Sequence, residues 1–346
     1  MRLIAALPVL MVLFCADARG ATLVVLNKSD DTASVIDAQT REVVRTVRVG
    51  NGPHEAAVSP DGRTVVVCNY GDRENRGQTL SVFAIDTDAP ARTIDLEEYH
   101  RPHGIVYFED GERVLLTAET EEKLLIVNIP EGRVVRALDT LQSGSHMAAL
   151  TPDERYAVSA NLRDGSATLL DLSGELEPKI LQTGRGAEGI AVRPGTDEVW
   201  VTNRSSDTLS VIDLATQRVV AEMDCAIFPI RITFTPDGSY GLVSCAESGE
   251  VAVVDATARR VVKRIGMKSR TVEQQERDRR LFGDRFGLSP VPIGILIEPG
   301  GERAYVANTN ADVVTVLDLK TFEIEGRLVA GSEPDGLAWS ALDAAR

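Results

Sequence analysis

The side chains best suited to chemistry in this chain are histidines that recur at one position of a short repeated phrase. The phrase occurs seven times, for example as GPHEAAVSPDG at 52–62 and as FPIRITFTPDG at 228–238. Its variable position carries, in chain order, His54, His103, His146, Glu188, Ile230, Ile293 and Asp335. Three of the chain's four histidines therefore share one repeat position. Neutral imidazole is the commonest metal ligand in proteins, so the pattern points first to a metal site.

A repeated structural unit must position these phrases. The variable positions are separated by 49, 43, 42, 42, 63 and 42 residues. Between them lie short runs of β-branched residues bounded by polar turns, such as TLVVLN at 22–27 and TASVID at 32–37. A period near 42 residues with four short strands per unit is typical of a β-propeller. The sequence therefore predicts an all-β fold, a single seven-bladed β-propeller domain over residues 21–346.

The two ends of the chain predict how the ring of blades closes. The chain starts with three strand-like runs and finishes with one, SEPDGLAWS at 332–340. One blade should therefore combine the last strand with the first three. Closure of this kind removes open sheet edges, which would otherwise promote aggregation.

The strand ends carry a family resemblance. WVTN at 200–203, YVAN at 305–308, the SVID strand ends and the PDG turns resemble the YVTN-repeat β-propeller family of exported bacterial proteins. The resemblance covers essentially the whole chain after residue 20. It implies the propeller fold but little about function, because one fold hosts many functions. Related propellers often look like accessory proteins for exported quinoprotein or cytochrome systems.

In a propeller the first strand of each blade lines the central channel, so the variable residues should form a ring. We expect His54, His103 and His146 to span roughly 100° of it and to bind a transition metal, copper, iron or zinc. Glu188 could be a fourth ligand or could orient an imidazole, and Asp335 could have either of these two roles. His100 could supply an outer ligand or lie exposed in its loop, and the isoleucines should form an apolar wall.

The functional prediction is an exported propeller that binds a transition metal at the channel mouth and is possibly a metal-dependent oxidoreductase. A polar channel without metal and a haem held by one histidine are alternatives. A non-enzymatic periplasmic binding, scaffold or accessory protein is a second class. A lactonase or lyase matches less well, because such propellers commonly hold a divalent ion with carboxylates and amides. We expect a monomer with a small-molecule or protein partner at the channel face.

The N-terminus and the charge limit the location and the partners. Residues 1–20 combine Arg2, an apolar run and small residues before Gly20, which predicts a signal peptide and a periplasmic or secreted protein. The apolar run is too short to span a membrane comfortably. A net charge of −15 argues against nucleic-acid binding, which needs clustered Lys and Arg.

Two segments depart from the repeat, and two cysteines leave a question open. The stretch 267–291 is long and arginine-rich, and Thr271 and Gly283 suggest a helix over about 270–283, either a lid or docking arm or a solvated surface helix. Blade two carries a long loop at 70–77. Cys225 and Cys245 could form a disulfide or remain buried thiols. Asparagines at the ends of second strands should have a structural role, in capping turns.

Overall fold

The seven predicted blades are present in the computed structural model, which describes residues 20–268, 280, 282–283 and 285–345. Each blade is a four-stranded antiparallel sheet, and the chain runs from the innermost to the outermost strand. Blade 1 comprises β28 (Pro334–Ser340), β1 (Thr22–Asn27), β2 (Thr32–Asp37) and β3 (Val43–Arg48). Blade 2 comprises β4 (Pro53–Val58), β5 (Thr64–Gly71), β6 (Arg76–Ala84) and β7 (Arg92–Asp95).

The next five blades repeat this order. Blade 3 contains β8 (Pro102–Tyr107), β9 (Arg113–Ala118), β10 (Lys123–Asn128) and β11 (Arg133–Asp139). Blade 4 contains β12 (Ser145–Leu150), β13 (Tyr156–Asn161), β14 (Ser166–Asp171) and β15 (Lys179–Gln182). Blade 5 contains β16 (Ala187–Val192), β17 (Glu198–Asn203), β18 (Thr208–Asp213) and β19 (Arg218–Asp224). Blade 6 contains β20 (Pro229–Phe234), β21 (Tyr240–Cys245), β22 (Glu250–Asp255) and β23 (Arg260–Gly266). Blade 7 contains β24 (Pro292–Ile297), β25 (Arg303–Asn308), β26 (Val313–Asp318) and β27 (Glu323–Val329).

Blade 1 closes the ring from both ends of the chain, as the sequence predicts. Strand β28 pairs with β1 in an antiparallel register that places Val24 opposite Ala338. Strands β1 and β2 then pair with Val24 opposite Val35. No helix in the described part of the chain is long and apolar enough to cross a membrane.

The core lies between the faces of adjacent blades. Middle strands are buried on both faces, as in TLVVLN of β1, so they read as continuous apolar runs. Trp200 of blade 5 meets Phe234 of blade 6 edge to face, with ring centroids 5.5 Å apart. Apolar clusters of this kind join each pair of neighbouring blades and hold the ring together.

Asparagines at the ends of second strands fix the loops on the channel face. Asn203 donates from Nδ2 to Thr208 at 3.0 Å and to Ser210 at 2.9 Å, and its Oδ1 accepts from the Gly184 amide at 2.9 Å. Asn27 and Asn69 make the same contacts in blades 1 and 2. The predicted structural role is correct.

Glycine lets the innermost strands approach one another closely. Directly after the variable ring position, four blades carry glycine: Gly104, Gly189, Gly294 and Gly336. A Cβ on Gly294 would lie 1.9 Å from the carbonyl oxygen of Asp335, and one on Gly189 would lie 2.3 Å from that of Ile230. Any side chain here would therefore push neighbouring blades apart.

The two irregular segments differ in part from expectation. The predicted helix at 270–283 lies almost entirely outside the described residues, and its described end, Arg280 and 282–283, forms bends and a turn. The long loop of blade 2 is instead an extension of the β5–β6 hairpin. Gly71 pairs with Arg76, and the Asp72 carboxylate accepts the amides of Glu74 and Asn75 at 2.7 Å.

Candidate functional site

The structure brings the histidines of the repeat together at the channel mouth. Each variable residue is the second residue of an innermost strand, and these strands adjoin one another around the channel. The ring centroids of His54 and His103 are 4.1 Å apart, and those of His103 and His146 are 3.8 Å apart. Asp335 contacts His54 on one flank, and Glu188 lies 3.5 Å from Nε2 of His146 on the other.

A second ring of residues surrounds the first, and sequence reasoning missed it. Its members stand directly after the end-of-strand asparagine, or after the equivalent residue, of each second strand, and four of the polar ones are Lys28, Tyr70, Glu119 and Arg204. Each contacts the ring of variable residues, either within its own blade or in the next. Three of them follow the end-of-strand asparagines, so the asparagine position marks them. That signal was present in the sequence.

Lys28, His54 and Asp335 are in mutual contact. The Lys28 ammonium lies 3.1 Å from Nδ1 and 3.2 Å from Nε2 of His54, and 3.5 Å from the Asp335 carboxylate. Burial lowers the pKa of Lys28, although Asp335 acts in the opposite direction. Burial also lowers the pKa of His54 to about 4, so this ring is neutral at neutral pH. The Asp335 carboxylate is fully buried, and His54 and Lys28 lower its pKa against the effect of burial.

His146 lies between two carboxylates. Its Nδ1 is 3.0 Å from Glu119, which also accepts a 2.9 Å hydrogen bond from the Tyr70 hydroxyl. Burial disfavours the charged ring, but hydrogen bonds to Glu119 and Glu188 raise the pKa of His146 overall. Burial acts to raise the pKa of Glu119, and the hydrogen bonds from His146 and Tyr70 outweigh it and lower that pKa to about 2. The two carboxylates therefore favour the charged form of the buried His146 ring.

His103 differs from its two neighbours. It is fully buried, and neither ring nitrogen has a hydrogen-bond partner. Burial lowers its pKa well below the usual value, and the adjacent charged groups add to the effect. Burying a polar group without a partner is costly, so this neutral imidazole marks a place where a ligand would add bonds.

An arginine and a glutamate cross the channel just beyond the histidines. Arg231 of β20 donates to Glu55 of β4 from Nε at 3.0 Å and from a terminal nitrogen at 2.7 Å. Its other terminal nitrogen lies 3.3 Å from Glu188, which Arg204 also binds at 2.6 Å. Glu55 and Arg231 stand at the register position where four other blades carry glycine. These contacts span the channel between blades 2 and 6, beside the histidine ring.

An open pocket of about 590 Å³ leads from solvent to this group. Its lining includes Lys28, Tyr70, Asp72, Arg101, Arg280 and Glu333. The Arg101 guanidinium lies 4.7 Å from the centre of the Tyr70 ring and donates to the Asp72 carbonyl at 2.9 Å. A pocket of about 610 Å³ between the turns of blades 4 and 5 contains none of the ring residues. Lys28 and Tyr70 therefore both line this pocket and contact the histidine cluster.

The remaining predicted residues are placed as follows. Ile230 and Ile293 form an apolar wall, which Phe282 and Phe286 of the long insertion cover together with Phe228. His100 lies outside the cluster, where its Nδ1 is 3.0 Å from Glu121 and its side chain is about a third exposed. Cys68, Cys225 and Cys245 are buried free thiols.

The predicted metal centre is not preformed. Among the described residues, no group of three or more His, Cys, Asp or Glu side chains is arranged to hold a metal ion. His103 packs edge to face with His54 and at a tilt against His146, and protein groups already contact the nitrogens of the outer two rings. Lys28 and Arg231 also place positive charge beside the cluster, which opposes a further cation.

Comparison with known proteins gives a family and a fold. The family model described as "Lactonase, 7-bladed beta-propeller" matches residues 26–276. The uncharacterized protein YncE of Salmonella typhimurium strain LT2 is 22% identical over 172 residues, and its Salmonella typhi counterpart gives the same values. These alignments cover 48% of this chain and 42% of the relatives, so the chain spans less than half of their length.

Two solved structures share the fold at low identity. A functionally unknown protein from Desulfotomaculum acetoxidans DSM 771 superposes with a TM-score of 0.73 at 14% identity, over 93% of this chain and 99% of its own. A chain of Kuenenia stuttgartiensis hydrazine synthase gives a TM-score of 0.66 at 20% identity, over 86% and 92%. At these identities the likeness concerns the fold alone.

Proposed function

Because the chain belongs to the Lactonase, 7-bladed beta-propeller family, we propose that it hydrolyses a lactone or related ester at the channel mouth. One observation supports this most strongly. Lys28 is a largely buried amine on the wall of an open pocket, and it contacts both His54 and Asp335. A buried lysine with a lowered pKa is a suitable general base, since more of it is uncharged near neutral pH.

In the proposed reaction, the free amine of Lys28 accepts a proton from a water molecule that attacks the lactone carbonyl carbon. The ring C–O bond then breaks, and the leaving oxygen takes the proton back from Lys28 to give a hydroxy acid. Arg101, on the same pocket wall, donates N–H groups to the carbonyl oxygen as negative charge develops there. His54 and Asp335 position the amine and balance its charge when it is protonated.

To test this, the purified chain is given a panel of five- and six-membered lactones, and hydrolysis is measured by the release of protons. Lys28→Met keeps the length and removes the base, so it should reduce kcat/KM by about 100-fold or more. Lys320→Met, on an exposed turn, is the matched control and should leave kcat/KM unchanged. Binding of lactones without turnover by the wild type would contradict hydrolysis and favour a non-enzymatic binding or accessory protein.

A metal ion is the second candidate, and one observation favours it. His103 has two unpartnered nitrogens, and on each side of it stands a histidine whose Nδ1 contacts a carboxylate. A carboxylate at one nitrogen commonly orients a metal-bound imidazole. His54, His103 and His146 would then bind copper, iron or zinc, with Glu188 as fourth ligand or second-shell group, and Lys28 would have to move aside. A bound copper or iron would supply redox chemistry.

Elemental analysis of protein purified without added metal tests this candidate. One equivalent of copper, iron or zinc, lost when His54, His103 and His146 are replaced by Ala, would support it. His100→Ala is the control and should keep the metal. Metal content that does not change in the triple variant would rule out this site.

We also propose that the protein is exported and acts as a monomer on a small-molecule or protein partner at the channel face. Residues 1–20 support export by their composition. N-terminal sequencing of protein from the exported fraction should begin near Ala21, and light scattering should give the mass of one chain. Retention of the N-terminus in the cytoplasm would contradict export.

A further inference from the structure

The connection between blades 5 and 6 brings two cysteines together. Cys225 is the first residue after β19, and Cys245 is the last residue of β21. Both side chains belong to one apolar cluster, which also contains Trp200 and Ile232. Cys225 is 8% exposed, and Cys245 is fully buried.

The two thiols interact directly, and the backbone holds them in place. The two side chains interact with each other, and the Cys245 thiol donates to the Val243 carbonyl oxygen at 3.5 Å. Pro229 pairs with Cys245 across the sheet, and the Ala246 amide donates to the Phe228 carbonyl at 2.9 Å. The loop at 225–228 is therefore fixed against the strand end that carries the second thiol.

We propose that Cys225 and Cys245 are a redox-active pair that closes to a disulfide in an oxidising environment. The Cys225 thiolate attacks a sulfur of an oxidised partner, a protein disulfide or glutathione disulfide, and releases one partner thiol. The Cys245 thiolate then attacks the Cys225 sulfur of the mixed disulfide and releases the second thiol. The two cysteines lose two protons and two electrons, and the partner disulfide is reduced to two thiols.

The environment assigns different roles to the two sulfurs. Cys225 is the more exposed thiol, and the neighbouring Cys245 side chain lowers its pKa against the effect of burial, so Cys225 attacks first. Cys245 is fully buried, and the Cys225 side chain and burial raise its pKa, so it reacts second. Cys68 lies in the cluster between blades 2 and 3 and provides an internal control.

Closure of this bond would connect to the channel site. The loop that begins at Cys225 contains Phe228, which packs against the apolar wall, and leads into β20 with Arg231. The disulfide would tie this loop to the second strand of blade 6. The inference does not depend on lactone hydrolysis, since it concerns the thiols alone.

Mass mapping of the full chain tests the pair. The purified protein is equilibrated with glutathione disulfide or with dithiothreitol, denatured, alkylated and digested with trypsin. Cleavage after Arg231 separates the cysteines into peptides 219–231 and 232–259. We expect these peptides to be joined after oxidation, with a mass about two hydrogens below their sum, while Cys68 is alkylated.

Two further results check the interpretation. The oxidised wild type should melt at a higher temperature than the reduced form, and Cys225→Ser should show no such shift. Cys68→Ala should behave like the wild type. Alkylation of both Cys225 and Cys245 after full oxidation, or a bond from either to Cys68, would overturn the proposal. The mass mapping that decides the proposal uses the wild-type protein, so it does not depend on whether a variant folds.

Discussion

At the residue scale, function and stability depend on a few buried charges that neutralise one another. Lys28 with Asp335, and His146 with Glu119 and Glu188, are pairs whose members would be costly to bury alone. Each pair shifts the pKa of its members, so pH is the natural variable for testing them. Burial dominates at Lys28 and lowers its pKa, whereas hydrogen bonds to carboxylates raise the pKa of His146.

Replacing Asp335 should move the pH dependence of hydrolysis. Asp335 raises the pKa of Lys28 against the stronger effect of burial. In Asp335→Asn that contribution is lost, so the Lys28 pKa falls further and the rise of kcat/KM with pH moves to lower pH. A pH series on wild type and variant measures the shift, with the exposed Glu302→Gln as control. A midpoint that moves upward would contradict Lys28 as the base.

Replacing His146 should destabilise the protein most at acidic pH. The folded protein holds the His146 pKa above its usual 6.5, so the stabilisation is fully present below 6.5 and is lost as pH rises through the folded value. His146→Gln should lower the free energy of unfolding by about 3 kcal/mol at the acidic end, and by less at alkaline pH. Denaturant unfolding across that range measures this.

The partly exposed pair of His100 with Glu121 is the matched comparison. His100→Gln should cost less than about 1 kcal/mol at any pH, because solvent screens that pair. An equal loss in the free energy of unfolding in His146→Gln and His100→Gln would show that burial of His146 does not cause the larger effect.

At the element scale, each blade contributes one innermost strand, and the spacing of these strands sets the geometry of the site. The strand repeat could be predicted from the sequence because the phrase recurs seven times with a period near 42 residues, and so could the ring of variable residues. The second ring was missed because Lys28, Tyr70, Glu119 and Arg204 differ chemically, although three of them follow an end-of-strand asparagine. The contact of Glu55 with Arg231 joins positions 176 residues apart and depends on closure of the ring.

The glycines after the variable position should be intolerant of any side chain. In Gly294→Ala the new Cβ would overlap the Asp335 carbonyl oxygen, so blades 7 and 1 must separate. We expect a loss of about 3 kcal/mol in the free energy of unfolding. Gly266→Ala is the control, because no atom lies within 4 Å of its Cβ. Equal stability of the two variants would contradict close strand contact.

At the scale of the whole molecule, the propeller depends on one strand that the chain supplies last. Strand β28 covers the edge of β1 and also carries Asp335 into the site. Folding and assembly of the site are therefore completed by the same segment. The fold and the site depend on the same strand because the ring is closed within blade 1, and not because the seven blades are similar.

Deleting residues 334–346 should abolish the cooperative fold. The exposed edge of β1 would promote strand pairing between molecules, so the truncated chain should aggregate. A circular permutant that joins β28 to β1 and opens the exposed connection at 87–89 keeps all four strands of every blade, with β7 then supplied by the other end of the chain, and should stay soluble. Thermal unfolding and sedimentation distinguish the two. A soluble, cooperative truncated protein would contradict the closure argument.

The salt bridge of Arg231 with Glu55 spans the channel from blade 6 to blade 2, and we expect it to block passage of a ligand along the channel axis. Any ligand of the histidine cluster must then enter and leave through one opening, past Lys28 and Arg101. A product that has not yet departed blocks the next substrate molecule, so product should compete with substrate. Product release through this opening would then limit the rate of turnover. Glu55→Gly and Arg231→Gly together would remove the salt bridge across the channel and so weaken inhibition by product.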